Sequence, residues 1–246
     1  MKQNRMYKGV KTWNPFLGCH YECNYCKPSF QRIISNFTKL RGSDCSGCLN
    51  YTPHEHPERL KKIPSAQTIF VCGNGDIVFA RPEFVKRIIA QIKRHLERCP
   101  YKQFYFQTRK PKCLEQYLDD FPKDNVILIT TLETNRDEGY NKVSNAPLLS
   151  KRYTEFKNLQ WERKVVTIEP IMDFDIDIFL DWIISINPET VWIGYNSRPK
   201  SVQLDEPPIE KTKKIIDEIR KNNIVVKEKE MRETIHKNHI KENSRI

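Results

Sequence analysis

The chain has 246 residues, of which 38% are hydrophobic and 30% are charged, a balance typical of a globular protein with a buried core. Its formal net charge of +11 indicates either an acidic partner, with nucleic acid the first candidate, or a lysine-rich solvated surface. No apolar run approaches the roughly 20 residues that span a bilayer, and no apolar stretch follows the basic residues near Met1. We therefore expect a cytoplasmic protein with neither a membrane segment nor a secretory signal.

Short runs rich in Val, Ile, Phe and Thr alternate with helical patterns along the chain. These runs predict strands, in chain order, at 7–13, 67–73, 103–108, 125–133, 164–170, 190–196 and 223–228. Apolar residues at helical spacing predict amphipathic helices at 81–98, 174–186 and 207–223. Strands that alternate with helices predict an α/β protein with a parallel sheet, closing in part as a (β/α)6-type barrel. The functional site of such a sheet lies at the carboxyl ends of its strands.

The sequence also predicts how the chain is divided. The barrel is expected to occupy residues 1–228. A turn-rich segment at about 39–66 is expected to form an insertion between the first helix and the second main strand. The polar residues 229–246 are expected to form a C-terminal helix that frays into a tail.

Cysteines are concentrated in the first third of the chain, which holds six of the eight. Because the cytoplasm is reducing, a metal or a cluster explains this crowding better than disulfides do. Cys19, Cys23 and Cys26 form a C-x3-C-x2-C motif, which would arise by chance only about 0.01 times in such a chain. Zinc sites usually have four ligands in paired knuckles, whereas three thiolates on one tight loop favour a [4Fe–4S] cluster with an open iron.

The stretch CHYECNYC resembles the CxxxCxφC signature of the radical S-adenosylmethionine (radical SAM) superfamily, in which φ is aromatic and is here Tyr25. The resemblance implies a radical SAM barrel, full or partial, with a [4Fe–4S] cluster on the three cysteines and S-adenosylmethionine on the fourth iron. It further implies reductive cleavage of S-adenosylmethionine to a 5′-deoxyadenosyl radical, which abstracts hydrogen from a substrate. An electron donor such as flavodoxin or ferredoxin is the implied partner.

The same resemblance implies cofactor contacts at the ends of later strands. CGNGD stands where the superfamily has a glycine-rich GGE-type motif. With Tyr25, the implied cofactor-binding residues are Gly73, Asn74, Gly75, Asp76, Thr108, Arg109, Thr131, Glu133, Asn135 and Glu169. Glu133 suits ribose hydroxyls, because a carboxylate accepts hydrogen bonds from both. Cys72 is a candidate catalytic thiol, although a buried cysteine more often acts as a small hydrophobic residue.

A narrower resemblance covers most of residues 7–200. The stretches TWNP, TLETN, IEPIMDFD and WIGYNS resemble a family of small radical-SAM-like proteins that is common near phage and mobile-element genes. This resemblance implies no substrate. The alternatives are an enzyme that acts on nucleic acid, a peptide or a small metabolite, and a non-catalytic iron–sulfur and zinc protein that binds DNA or RNA. For nucleic acid, Phe106 and Tyr195 are predicted to stack on a base.

A second group of metal-type side chains lies in the insertion. Cys45, Cys48, His54 and His56 fall within twelve positions, and two thiolates with two imidazoles could hold zinc tetrahedrally and order the loop. Their spacing is not that of a zinc finger. Two alternatives remain, a second cluster completed by cysteines from elsewhere and a loop with two free thiols.

Overall fold

Nine strands are present in the computed structural model, which describes residues 9–229 and 231–233. They are β1 (Val10–Trp13), β2 (Phe16–Leu17), β3 (His54–Glu55), β4 (Thr68–Val71), β5 (Gln103–Gln107), β6 (Val126–Thr131), β7 (Lys164–Ile168), β8 (Thr190–Ile193) and β9 (Val225–Glu228). All except β2 and β3 join one sheet, in the order β1-β4-β5-β6-β7-β8-β9. Every neighbouring pair in that sheet is parallel. The predicted α/β class and partial barrel with parallel strands are confirmed, with seven strands in the sheet.

Helices lie between most successive strands of the sheet along the chain. They are α1 (Arg32–Leu40), α2 (Ser46–Asn50), α3 (Pro82–Leu96), α4 (Leu149–Asn158), α5 (Ile176–Ile186) and α6 (Ile209–Lys221). The predicted helices at 81–98, 174–186 and 207–223 correspond to α3, α5 and α6. Within the described residues, no helix is both long enough and apolar enough to cross a membrane.

The apolar side chains divide into two layers because successive residues of a strand point to opposite faces of the sheet. Val126 and Leu128 of β6 belong to the large cluster that also contains the buried faces of α3, α5 and α6. Ile127 and Ile129, on the other face, pack in a smaller cluster with Phe70. Helices α3, α5 and α6 therefore cover one face of the sheet, and the smaller cluster lies on the other face.

The insertion is attached to the segment that precedes the cysteine motif. Strands β2 and β3 pair antiparallel, with Leu17 opposite His54 and Phe16 opposite Glu55. As a result, the two-residue strand β3 lies beside the chain just before Cys19. Of the segment 229–246, only residues 229 and 231–233 are described, and the predicted C-terminal helix lies outside the described residues.

Candidate functional site

The cysteine loop begins where two glycines bring separate segments of backbone together. Gly18 adopts a φ of +93° and forms a parallel bridge with Gly75. The backbone N–H of Gly18 donates to the Asn74 carbonyl at 3.2 Å. A Cβ on Gly75 would lie 2.7 Å from the Gly18 carbonyl oxygen, so this close approach requires glycine. The turn after β4 therefore supports the start of the cysteine loop.

The three motif cysteines line one cavity of about 210 Å³ at the carboxyl ends of β4 and β5. Its wall consists of Cys19, Glu22, Cys23, Tyr25, Cys26, Ser29, Phe30, Gln31, Tyr51, Phe70, Gly73, Gly75, Asp76, Gln107 and Arg109. This wall includes the predicted cofactor-binding residues Tyr25, Gly73, Gly75, Asp76 and Arg109. The structure thus places three soft metal ligands beside polar groups that suit a charged small molecule.

The thiols of the motif are buried or half-buried. Tyr21 donates its backbone N–H to Cys19 Sγ at 3.4 Å, and Cys23 Sγ lies 3.0 Å from Ser144 Oγ. Burial raises the pKa of the Cys26 thiol to about 11, and burial also raises the pKa of Cys19. Metal binding displaces thiol protons. Because thiolates bind iron–sulfur clusters, the donor set of the cavity fits a cluster.

Arg109 reaches the cavity from the end of β5. Its Nη2 donates to Tyr25 Oη at 2.6 Å and lies 3.3 Å from Glu133 Oε1. Tyr25 Oη in turn donates to Glu133 Oε1 at 2.6 Å. The Nε of Arg109 is buried and has no hydrogen-bond partner among the described residues. A buried donor without a partner costs free energy, so this atom is suited to a carboxylate ligand in the cavity.

Glu133 holds Arg109 and Tyr25 in this network and is not part of the cavity wall. Arg152 Nη1 donates to Glu133 Oε2 at 2.8 Å, and both side chains are fully buried. Tyr140 Oη donates to Glu133 Oε1 at 3.1 Å. Burial acts to raise the pKa of Glu133, but the charges of Arg152 and Arg109 outweigh it and hold this pKa below its ordinary value. Glu133 therefore positions Arg109 and Tyr25.

Asp76 stabilises the turn that carries the two glycines. Its Oδ1 accepts from the Val78 N–H at 3.2 Å and from Thr108 Oγ1 at 2.6 Å. Its Oδ2 accepts from the Arg109 N–H at 2.9 Å. Burial raises the pKa of the Asp76 carboxyl. Asp76 thus connects the ends of β4 and β5 at the base of the cavity.

Seven residues of the predicted site lie outside the cavity wall. They are Cys72, Asn74, Thr108, Thr131, Glu133, Asn135 and Glu169. Cys72 packs in the main core, where burial raises its thiol pKa to about 12. Thr131 Oγ1 accepts from Gln107 Nε2 at 2.7 Å, and Glu169 pairs with Lys229. The side chain of Asn135 accepts from the Asp175 N–H at 2.8 Å.

The two aromatic residues predicted to stack on a base are buried. Phe106 has no exposed surface, and Tyr195 is 2% exposed. Tyr195 Oη donates to the Pro207 carbonyl at 3.1 Å. Both rings belong to the main core, so the stacking prediction is wrong for these residues.

Several wall residues were missed by sequence reasoning. Gln31 follows the cysteine motif on a single turn of π-helix, Lys27–Gln31. Tyr51 belongs to the insertion, and its ring contacts that of Phe30 edge to face at 6.1 Å. Tyr51 stands three positions after Cys48, but that spacing gives no sign that the insertion reaches the cavity.

The metal-type residues of the insertion also converge. The ligand atoms of Cys45, Cys48, His54 and His56 all lie within 4.8 Å of one another. Among the described residues, no third cysteine joins them. None of these four residues lines the cysteine cavity, whereas Tyr51, which stands between Cys48 and His54 in the chain, does line it.

The partial barrel is the fold of the radical SAM enzymes, and the predicted fold resemblance is confirmed. The chain is similar to Streptococcus suis SuiB bound to the precursor peptide SuiA, with a TM-score of 0.56 and 10% identity over 90% of this chain and 49% of that chain. It is similar to a mutant spore photoproduct lyase with a dinucleoside spore photoproduct, with a TM-score of 0.55 and 12% identity over 87% and 75% of the two chains.

A third similar structure is a radical SAM methyltransferase from Sphaerobacter thermophilus, with a TM-score of 0.52 and 13% identity over 86% of this chain and 63% of that chain. The chain thus spans about half the length of the SuiB chain. No family model matches the chain. No curated protein matches its sequence. The resemblance to the small phage-associated family stays a prediction.

Proposed function

We propose that the chain is a radical SAM enzyme in which Cys19, Cys23 and Cys26 hold a [4Fe–4S] cluster. The observation that carries the proposal is the shared cavity, which is lined by the three cysteines and by Arg109, whose buried Nε has no hydrogen-bond partner among the described residues. When bound, the cluster and S-adenosylmethionine supply a 5′-deoxyadenosyl radical for hydrogen abstraction. A protein that only bound nucleic acid would need no such cofactor cradle.

The residues of the chain then have distinct tasks. Arg109 binds the carboxylate of S-adenosylmethionine, because this arginine lines the cavity and its buried Nε is a donor with no partner among the described residues. Glu133 and Tyr25 fix the guanidinium through contacts with its Nη2. Tyr51 and Phe70 supply apolar surface that limits water in the cavity. A site with less water strengthens each of these polar contacts.

The test is anaerobic reconstitution with iron and sulfide, followed by S-adenosylmethionine and dithionite. Dithionite replaces the protein electron donor, for which flavodoxin or ferredoxin is our proposal. We expect a brown protein that releases 5′-deoxyadenosine, identified by chromatography and mass spectrometry. A fully reconstituted protein that binds iron but releases no 5′-deoxyadenosine would favour the non-catalytic iron–sulfur protein.

Replacing Arg109 should weaken cofactor binding without removing the cluster. Hydrogen bonds to charged groups contribute about 1.5–3 kcal/mol, so Arg109→Gln should raise the Kd for S-adenosylmethionine roughly 10–100-fold. Titration calorimetry on reconstituted protein measures the Kd, and iron analysis checks the cluster. The matched control is Lys110→Gln, which removes the neighbouring, exposed charge outside the cavity wall. An unchanged Kd in Arg109→Gln would remove Arg109 from the cofactor site.

For the substrate class, we propose a nucleic acid or a nucleotide-bearing molecule. The formal net charge of +11 supports this class, because Lys and Arg contacts with phosphates supply affinity that does not depend on sequence. Of the similar structures, the spore photoproduct lyase holds a dinucleoside, whereas SuiB holds a peptide. Peptides and small metabolites are the competing substrates.

Phosphate-driven binding should depend steeply on salt. For six or more phosphate contacts, affinity should fall about 10³-fold or more between about 50 and 200 mM salt. Fluorescence anisotropy with labelled single and double strands of DNA and RNA measures this fall. Failure to bind any of these strands at low salt would transfer the proposal to a peptide or a small metabolite.

A further inference from the structure

The ligand atoms of the four metal-type residues in the insertion are spaced almost as they would be around a tetrahedral zinc ion. His54 Nε2 lies 3.4 Å from Cys45 Sγ and 3.2 Å from Cys48 Sγ. His56 Nε2 lies 3.3 Å from Cys48 Sγ and 2.8 Å from His54 Nε2. Zinc–nitrogen bonds of about 2.0 Å and zinc–sulfur bonds of about 2.3 Å place tetrahedral ligand atoms roughly 3.3–3.8 Å apart. Small adjustments of these side chains therefore admit one ion.

The outer hydrogen bonds of both histidines direct their Nε2 atoms to the centre of the group. His54 Nδ1 donates to the Thr52 carbonyl at 2.7 Å, and His56 Nδ1 donates to Glu58 Oε1 at 2.8 Å. A carbonyl and a carboxylate only accept, so the proton of each neutral ring lies on Nδ1. The two Nε2 lone pairs then face each other, and a cation between them removes their repulsion. Histidines that bind metals commonly have such outer acceptors.

We propose that Cys45, Cys48, His54 and His56 bind one Zn²⁺ and that this ion braces the wall of the cysteine cavity. Two thiolates and two imidazoles in a tetrahedron favour zinc among divalent metals. The set supplies all four ligands, which is typical of a structural site and leaves no position for a substrate.

The brace acts through backbone contacts between the metal-binding segment and the cysteine loop. His54 lies opposite Leu17 in the β2–β3 pair, and the His56 N–H donates to the Pro15 carbonyl at 2.6 Å. The Cys19 N–H donates to the carbonyl of Tyr51, which lines the cavity. A five-residue helix and a two-residue strand have little stability of their own. The ion therefore supplies order that these short elements lack.

The first experiment measures zinc in the full chain purified without chelator. We expect about one zinc per chain in the wild type, by plasma mass spectrometry. Cys45→Ser should lower the zinc content roughly tenfold or more, whereas Cys99→Ser, which also removes one part-buried thiol, should retain it. A wild type without zinc, or a Cys45→Ser variant with full zinc, overturns the site.

The second experiment measures hydrogen exchange in the same proteins before any iron is added. Loss of zinc should speed exchange about tenfold or more in peptides covering both 45–56 and 15–26. If the effect stays within 45–56, the brace is overturned. Should Cys45→Ser not fold, wild type stripped by chelator and then refilled with zinc gives the same comparison. Neither experiment involves iron or S-adenosylmethionine, so failure here is distinct from failure of the proposed enzyme activity.

Discussion

Replacing Cys19, Cys23 and Cys26 together with alanine should abolish both cluster iron and the formation of 5′-deoxyadenosine. All three thiols line the same cavity, and a [4Fe–4S] cluster needs thiolate ligands. Alanine leaves no side-chain ligand at any of these positions. Iron and sulfide analysis after anaerobic reconstitution measures the cluster, and mass spectrometry measures the product. We expect both to fall to the level of a blank without protein.

The matched control is Cys99→Ala, which removes a thiol from the loop after α3 and leaves the cavity unchanged. This control should keep wild-type iron content and product yield. The triple variant should also keep the zinc proposed for the insertion, since none of the four insertion residues is altered. Reductive cleavage of S-adenosylmethionine by the triple variant would contradict the assignment of these cysteines.

The barrel could be predicted from the sequence because its strands are buried on both faces. All residues of β6 and β7 are buried, and most of them are Val, Ile, Leu or Thr, as is typical of strands covered on both faces. The cysteine motif was also readable, because its three residues lie within eight positions and need no knowledge of the fold. Helix α4 was missed because Arg152 occupies a buried position and interrupts the apolar stripe.

The cavity wall could be predicted only in part. The position of a strand end shows which residues lie near the cavity, but it does not show which way each side chain points. In β5, Phe104 and Phe106 point into the main core, whereas Gln107 points to the cavity. The sequence also gave no sign that Glu133 would pair with Arg152, which lies nineteen positions further on. Such pairs depend on how an entire helix packs, and local spacing does not reveal them.

Replacing Glu133 with alanine should cost much of the stability of the fold. Glu133 is fully buried between Arg109 and Arg152, and its removal leaves two guanidinium groups without their carboxylate. Breaking a buried ion pair from one side costs about 3–5 kcal/mol. Glu133→Gln should cost less, because the amide oxygen still accepts hydrogen bonds. Urea unfolding, followed by circular dichroism, measures the free energy of unfolding for both variants.

The pH dependence of unfolding tests the charge of Glu133 directly. Its pKa is lower in the folded chain than in the unfolded chain, so its contribution is complete above the unfolded pKa of about 4.3. That contribution is lost as the pH falls through the folded pKa. The difference in stability between wild type and Glu133→Gln should therefore shrink in acid. The control is Glu189→Gln, which breaks the more exposed pair with Arg163 and should cost less at neutral pH. If both variants lost the same free energy of unfolding, and if that loss did not change in acid, a stabilising buried charge at Glu133 would be contradicted.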